Sequence, residues 1–139
     1  MDSKKLIIGG IAGGILFFLL GWLIYGILAK DFMDSHPGTV PGVDRTEPLM
    51  MYLALGNLLL GFLVTYIFLK ANVRALSDGF ITAGVIGLLM SASYDCVMYA
   101  TTNIASKKLI LADVISFTVM MAIGGAVISL VLSKLNKHN

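Results

Sequence analysis

The chain has 139 residues, 58% of them hydrophobic and 13% charged, and a mean hydropathy of +0.90; because a soluble domain carries about 25% charged residues, this composition predicts a membrane protein. The length holds one domain, residues 1–139, and leaves no room for a separate soluble catalytic domain. The net charge of +2 without a basic patch excludes a nucleic-acid partner, and the single cysteine, Cys96, excludes an intrachain disulfide and a paired-thiol redox centre.

The first predicted span, residues 6–29, carries no charged side chain and follows a short head that contains Lys4 and Lys5. A basic start before an apolar run is also typical of a secretory signal peptide. This run is longer than the apolar core of such a peptide and lacks a small-residue cleavage pattern at its end. We therefore interpret it as an uncleaved membrane helix, since about 20 apolar residues cross a bilayer.

Small and aromatic residues divide this first span into two parts. Two pairs of glycines with four-residue spacing lie within residues 9–14, and this spacing permits close approach of a neighbouring helix. Trp22 and Tyr25 lie near the other end. Aromatic residues there are typical of an interfacial belt, and the wall of a pocket is the alternative.

The segment 30–48 is the long loop of the chain and contains all three prolines, so it is not a continuous helix. Asp31, Asp34 and His36 are close in sequence, and a site for zinc or a hard cation is conceivable. No recognised ligand spacing is matched. We expect a solvated acidic loop with no metal site and no cofactor.

The second predicted span, residues 49–69, is again uncharged. Asn57, Gly61 and Thr65 repeat at four-residue intervals and therefore share one face of the helix. We expect Asn57 to form a hydrogen bond to another helix, an interaction of about 0.6 kcal/mol in membrane bundles. Residues 70–78 form a short connector.

The third predicted span, residues 79–102, is the most informative stretch because a carboxylate, Asp95, lies within it. A mid-membrane Asp costs about 2.5–3.5 kcal/mol on insertion scales, so we expect it to face protein or water, with the other three spans around it. The small and polar residues predicted to share its face, with Tyr99 at the edge, are Gly84, Gly87, Ser91, Asp95 and Thr102. Ile86, Leu89 and Val97 are predicted to face lipid. Asp95 is either a structural hydrogen-bond anchor or a site for a proton or cation.

The fourth predicted span, residues 109–133, has Asp113 in its first turns. Since consecutive spans run in opposite directions, the polar residues of all four helices are expected at similar depths, in the outer half of the bundle. Two carboxyl groups in one region of low dielectric are not expected both to be charged unless a cation lies between them. The candidate site is Trp22, Tyr25, Asn57, Ser91, Tyr94, Asp95, Tyr99, Asp113 and Ser116.

Basic residues predict the orientation of the chain. With the N-terminus inside, Lys4, Lys5, Lys70, Arg74, Lys134 and Lys137 lie inside, whereas Lys30, Arg45, Lys107 and Lys108 lie outside. This bias favours cytoplasmic termini. The expected fold is an all-α integral membrane four-helix bundle.

An internal duplication is one interpretation of the glycine pattern. Gly61 and Gly125 are each followed, after eight residues, by a lysine, and these positions match at an offset of 64 residues. The first and third spans match at an offset of 74, through Gly10, Gly13 and Tyr25. Two spans in each half would make a pair of tandem parallel repeats.

Three short stretches of the second half, Tyr94-Asp95, Tyr99–Asn103 and Leu111–Asp113, are similar to an uncharacterised family of small bacterial inner-membrane proteins. That family, a domain of unknown function, has four spans and a Tyr-Asp…Asn…Asp pattern. The ending of the first span, Gly21–Tyr25, resembles a related uncharacterised family. Asn103 lies later than the family's Asn, and Ser116-Phe117 replaces an expected Trp-Gly. The resemblance implies the four-span fold and the bacterial inner membrane, and it implies no activity.

Two functions remain open at this point. The chain is either a transporter or channel subunit that uses Asp95 and Asp113 for an ion, a proton or a small polar solute, or a structural or accessory protein whose polar cluster only fixes helix packing. An enzyme is not expected, because the spans hold no Ser-His dyad, no HExxH motif and no CxxC motif. The expected partners are the lipid bilayer, further copies of the chain and an unidentified membrane protein.

Overall fold

The computed structural model describes residues 2–137, and this part of the chain is helical with short connections. The helices are α1 (Ser3–Leu23), α2 (Lys30–Asp34), α3 (Met50–Ala71), α4 (Leu76–Thr101) and α5 (Lys107–Lys137). A π-helical segment, Ile24–Leu28, continues α1 without a break. The all-α prediction is confirmed.

Four of these helical stretches are long and apolar enough to cross a membrane: Ser3–Leu28, Met50–Ala71, Leu76–Thr101 and Lys107–Asn136. The prediction of four spans is confirmed by length and composition. The second span, expected over residues 49–69, is the helix Met50–Ala71 and so nearly as predicted. The other spans begin two or three residues earlier than the apolar runs, because polar residues such as Lys4 and Ser77 can occupy a first helical turn.

The four long helices form a row rather than a square. α1 packs extensively against α3, and α4 against α5, and the two pairs meet mainly where α1 contacts α5. The prediction that the other three spans surround the third is therefore wrong, because among the described residues α4 packs extensively against α5 alone. Its narrow stripe of buried residues suits one partner: Gly79, Ala83, Gly87, Ser91 and Asp95.

The core lies where α1, α3 and α5 meet. Its largest fully buried side chains are Phe17, Phe68, Met121, Ile128 and Leu132. The ring of Phe17 lies directly over Gly124 of α5, where a Cβ atom would overlap it. Ile86 of α4 packs against this core and does not face lipid, contrary to expectation.

Glycines bring the helices of each pair into backbone contact. Gly61 of α3 lies against the backbone of Gly10 and Gly14 of α1, and a Cβ atom there would overlap both. Gly125 of α5 lies in the same way against Gly79 of α4. The predicted glycine contact of the first span is confirmed. Gly10 contacts Gly61 in the first pair and Gly79 contacts Gly125 in the second, yet Gly79 follows Gly10 by 69 positions. The glycines in contact are therefore not the ones matched at an offset of 74 in the proposed duplication.

Large apolar side chains cover the outer surface of the row. On α1, Ile7, Ile11, Ile15 and Leu19 are exposed at four-residue intervals, and α5 exposes a similar stripe. An apolar surface this extensive requires a covering, and it has the length of a bilayer core. The described chain is thus a multi-pass membrane protein in composition, helix length and surface.

Contacts between segments distant in sequence close both ends of the row. At one end, Lys5 Nζ donates a hydrogen bond of 2.5 Å to Asn136 Oδ1 and lies 3.4 Å from Asp2 Oδ2. At the other end, the Thr39 amide donates to the Asn103 carbonyl at 3.0 Å and Ser106 Oγ donates to the His36 carbonyl at 2.6 Å. The long loop is therefore fastened to the connection between α4 and α5.

Candidate functional site

A cavity of about 490 Å³ opens between α1, α3 and α5, near the end that the long loop covers. Four of the residues singled out from the sequence line it: Trp22, Tyr25, Asn57 and Asp113. The rest of the wall is mainly apolar and comprises Phe18, Gly21, Gly26, Pro48, Met50, Leu53, Phe117 and Met120. Asp113 is the one charged side chain among the described residues that line it.

Each helix supplies its share of this wall through helical spacing. Phe18, Gly21, Trp22 and Tyr25 follow one face of α1 and its π-helical continuation. Asp113, Phe117 and Met120 follow one face of α5. The spacing is visible in the sequence, but the apolar members resemble any core stripe. Only their arrangement around a gap distinguishes them.

The π-helical segment positions Tyr25. Its wider turn is closed by a hydrogen bond of 2.7 Å from the Ala29 amide to the Ile24 carbonyl. The Tyr25 hydroxyl reaches across to α5 and donates to the backbone carbonyl of Asp113 at 3.4 Å. Single π-helical turns inside α-helices occur frequently at functional sites, and no sequence signal had indicated this one.

Asp95 lies beside the cavity rather than in its wall. Its side chain is on the buried stripe of α4, and the residue is 8% exposed. Gly87 of α4 packs against Met121 and the Phe117 backbone of α5, so Asp95, eight residues further along this antiparallel pair of helices, lies level with Asp113. Oδ2 of Asp95 is buried and has no hydrogen-bond partner among the described residues. The pair therefore consists of a buried carboxyl group, Asp95, next to one that faces the cavity, Asp113.

Neighbouring polar side chains are satisfied within their own helices. Ser91 Oγ donates to the Gly87 carbonyl at 2.8 Å. Asn57 Nδ2 donates to the Leu53 carbonyl of α3 at 2.8 Å, so the predicted hydrogen bond from Asn57 to another helix is wrong. An amide side chain beside the cavity reaches the carbonyl one turn back on its own helix more easily than a helix across the gap.

Replacing Asn57 by alanine is expected to change the free energy of unfolding by less than about 1 kcal/mol, because the lost hydrogen bond is local to α3 and the site borders a cavity. Thermal unfolding in detergent measures this effect. Ser91→Ala on α4 is a matched control for a second local bond. A loss of several kcal/mol for Asn57→Ala would show that the amide holds helices together.

Three residues of the sequence-based site lie elsewhere. Tyr94 and Tyr99 are 66% and 45% exposed on the outside of α4, with Lys107 Nζ 5.9 Å from the centre of the Tyr99 ring. Ser116 lies in a separate groove beside Phe32 and Lys108. The sequence grouped them by expected depth, but depth does not determine the direction in which a side chain points around a helix.

Comparison of the chain with protein-family models, with curated proteins and with solved structures finds no match. The residues of the site are therefore the guide to its chemistry.

A second, larger cavity of about 730 Å³ lies between the long loop and the helix ends that this loop covers. Tyr25 lines both cavities, so the second space adjoins the first. Lys30 and Asp34 line the loop cavity and form an ion pair, and the hydrogen bond and charge of Asp34 raise the pKa of Lys30. In the described residues no group of three or more His, Cys, Asp or Glu side chains could hold a metal ion.

The arrangement favours a small ligand with an apolar body and a positive charge. A cavity of this volume is in the usual range of ligand pockets, which is about 300–1,000 Å³. Aromatic rings attract a cation through their faces, and Trp22 and Tyr25 supply two of the aromatic walls. Asp113 supplies the opposite charge, and Asn57 adds a polar group.

Proposed function

We propose that the chain is a subunit of a membrane transporter or channel that holds a small cation or polar solute in the cavity between α1, α3 and α5. The observation that carries this proposal is a carboxylate, Asp113, in an otherwise apolar cavity of about 490 Å³. An ionisable group in a membrane span is costly, and it usually lies on an ion or solute pathway.

Hydrogen bonds of the polar residues within their own helices support a transport function over a purely structural role. A cluster that fixed helix packing would bond from one helix to another. Asn57 and Ser91 bond within their own helices, and Oδ2 of Asp95 has no partner in the described chain. Tyr25, through its hydrogen bond to α5, is the exception.

We further propose that the protein lies in the bacterial inner membrane, with the end of the row that carries Lys5 and Asn136 in the cytoplasm. The excess of basic residues near that end supports this orientation. A homo-oligomer is part of the proposal, because a row of four helices does not enclose a pathway by itself. Further copies would supply the missing wall.

The test is flux into proteoliposomes, with Na⁺, K⁺ and tetraethylammonium offered separately. Wild-type protein is expected to conduct or accumulate at least one of them, and Asp113→Asn is expected to lower that flux at least tenfold, since the counter-charge is lost. Asp78→Asn, an exposed acid in the first turn of α4, is the matched control and should retain wild-type flux. Full flux by Asp113→Asn, or none by wild type, contradicts the proposal.

A further inference from the structure

One carboxyl oxygen of Asp95 is buried without a hydrogen-bond partner among the described residues. This atom, Oδ2, belongs to a side chain packed between α4 and α5. A charged carboxylate in such a place is expensive unless a proton or a cation accompanies it. The neighbouring carboxyl group of Asp113 can share a proton with it, as closely spaced acid pairs do.

The two acids differ in access. Asp95 faces the contact between α4 and α5, whereas Asp113 faces the cavity. A proton held by the pair can therefore leave only by way of the cavity side, which is also the side on which a cationic ligand arrives. The ligand and the proton compete for the same negative charge.

We propose that Asp95 and Asp113 hold one proton between them in the empty site, and that a monovalent organic cation binding beside Asp113 releases it. The O–H bond of the protonated carboxyl group breaks, the proton passes to water, and the cation takes its place. The total charge of the pair with its occupant stays at minus one before and after. This inference rests on the proposed function, because it requires that the cavity bind a cation.

An organic cation fits this cavity better than a metal ion. Na⁺ and Ca²⁺ bind through several oxygen ligands, and the wall offers few beyond those of Asp113, Asn57 and Tyr25. Its remaining surface is aromatic and aliphatic, which suits the alkyl groups of a substituted ammonium ion. The substrate class is therefore an ammonium ion with an apolar body.

Few other titratable groups face the acid pair. α4 packs extensively against α5 alone among the described helices, and the contact of Gly87 with Met121 places Asp113 as the acid of α5 level with Asp95. Tyr25 reaches Asp113 from the π-helical segment. Lys107, at the beginning of α5, lies over the ring of Tyr99 instead. A pH dependence of cation binding that lies below the pH at which a phenol ionises would therefore report the acid pair.

The chain provides its own probe, because its single tryptophan, Trp22, lines the cavity. Tetraethylammonium is titrated into purified protein in nanodiscs, and Trp22 fluorescence is followed from pH 4 to pH 8.5. If one proton is released for each cation, the Kd falls about tenfold for each unit of rising pH over the range in which the pair holds its proton. A pH-indicator dye in weak buffer should show close to one proton released for each cation bound.

Asp95→Asn is expected to abolish both the slope and the proton signal, because a single carboxyl group has no partner with which to share a proton. Asp78→Asn on the same helix should retain both. The proton count on wild-type protein needs no variant, so it decides the matter even if Asp95→Asn fails to fold.

The failures of the two proposals are distinguishable. Binding of tetraethylammonium with a pH-independent Kd and no released proton overturns the proton exchange and leaves the cation site standing. A slope retained by Asp95→Asn also overturns it. Absence of any change in Trp22 fluorescence, together with absence of flux, overturns the cation site and the exchange alike.

Discussion

Replacing Gly61 by alanine is expected to destabilise the protein by about 3 kcal/mol, at the upper end of the usual range for overpacking. The added Cβ atom would overlap the backbone nitrogen of Gly14 and the backbone oxygen of Gly10. Backbone cannot rotate away as the end of a flexible side chain can, so α1 and α3 would have to separate. Thermal unfolding in detergent, followed by circular dichroism, measures the loss.

The same helix contains a matched control. Gly56 has no heavy atom within 4 Å of the position of an added Cβ atom. Gly56→Ala is expected to leave stability unchanged or to raise it by up to about 1 kcal/mol, because alanine is the better helix former. Equal melting temperatures for the two variants would contradict the backbone contact between α1 and α3.

The expected size of the effect follows from how membrane helices associate. Lipid is as apolar as a leucine side chain, so burial provides little drive for two spans to pair, and close van der Waals packing does more of the work. Gly61 lies at the point where α1 and α3 come closest. A loss of close packing there is not offset by hydrophobic burial elsewhere.

Replacing Asp95 by asparagine is expected to raise the free energy of unfolding by about 1–3 kcal/mol, the usual cost of an unsatisfied buried polar group. Oδ2 of Asp95 lacks a partner among the described residues. Once the shared proton has left the pair at alkaline pH, neither carboxylate can donate, whereas an asparagine amide of nearly the same shape still donates a hydrogen bond to the carboxyl group of Asp113. Chemical or thermal unfolding in a single detergent measures the difference.

This result separates the two functions that were open at the outset. A structural anchor would be weakened by the substitution, so the melting temperature would fall. An acid retained for binding at the expense of stability gives the opposite sign. The exposed Asp78→Asn variant is expected to stay within about 0.5 kcal/mol of wild type, and a loss of stability confined to Asp95→Asn would favour the structural role.

Much of the fold could be predicted because helix formation and hydropathy are local properties. The runs around Gly9–Gly14 and Gly61 indicated both the spans and the close contacts that they make. The prolines marked the non-helical part of the long loop, but the prediction of a loop over residues 30–48 was wrong for Lys30–Asp34, which form α2. The buried positions Gly87, Ser91 and Asp95 follow from the spacing of small and polar residues along one helix.

Other features of the site depend on which helices become neighbours. The expectation that the other three spans surround the third placed Tyr99 and Ser116 in a shared interior, whereas a row leaves Tyr99 exposed and Ser116 in a separate groove. Hydropathy does not specify neighbours, since each span is apolar on most faces. The choice depends on the shapes of the helix surfaces, and in particular on where glycines permit contact.

The amino-acid sequence by itself determined four apolar helices, their approximate lengths, and the presence of one acid within each of two of them, because the bilayer imposes length and hydropathy on each span separately. Only the tertiary structure decided that Asp113 faces a cavity while Asp95 faces α5. It also introduced the π-helical turn that brings Tyr25 to Asp113. These outcomes depend on the rotation of each helix about its axis, and that rotation is set by packing against partners distant in the sequence.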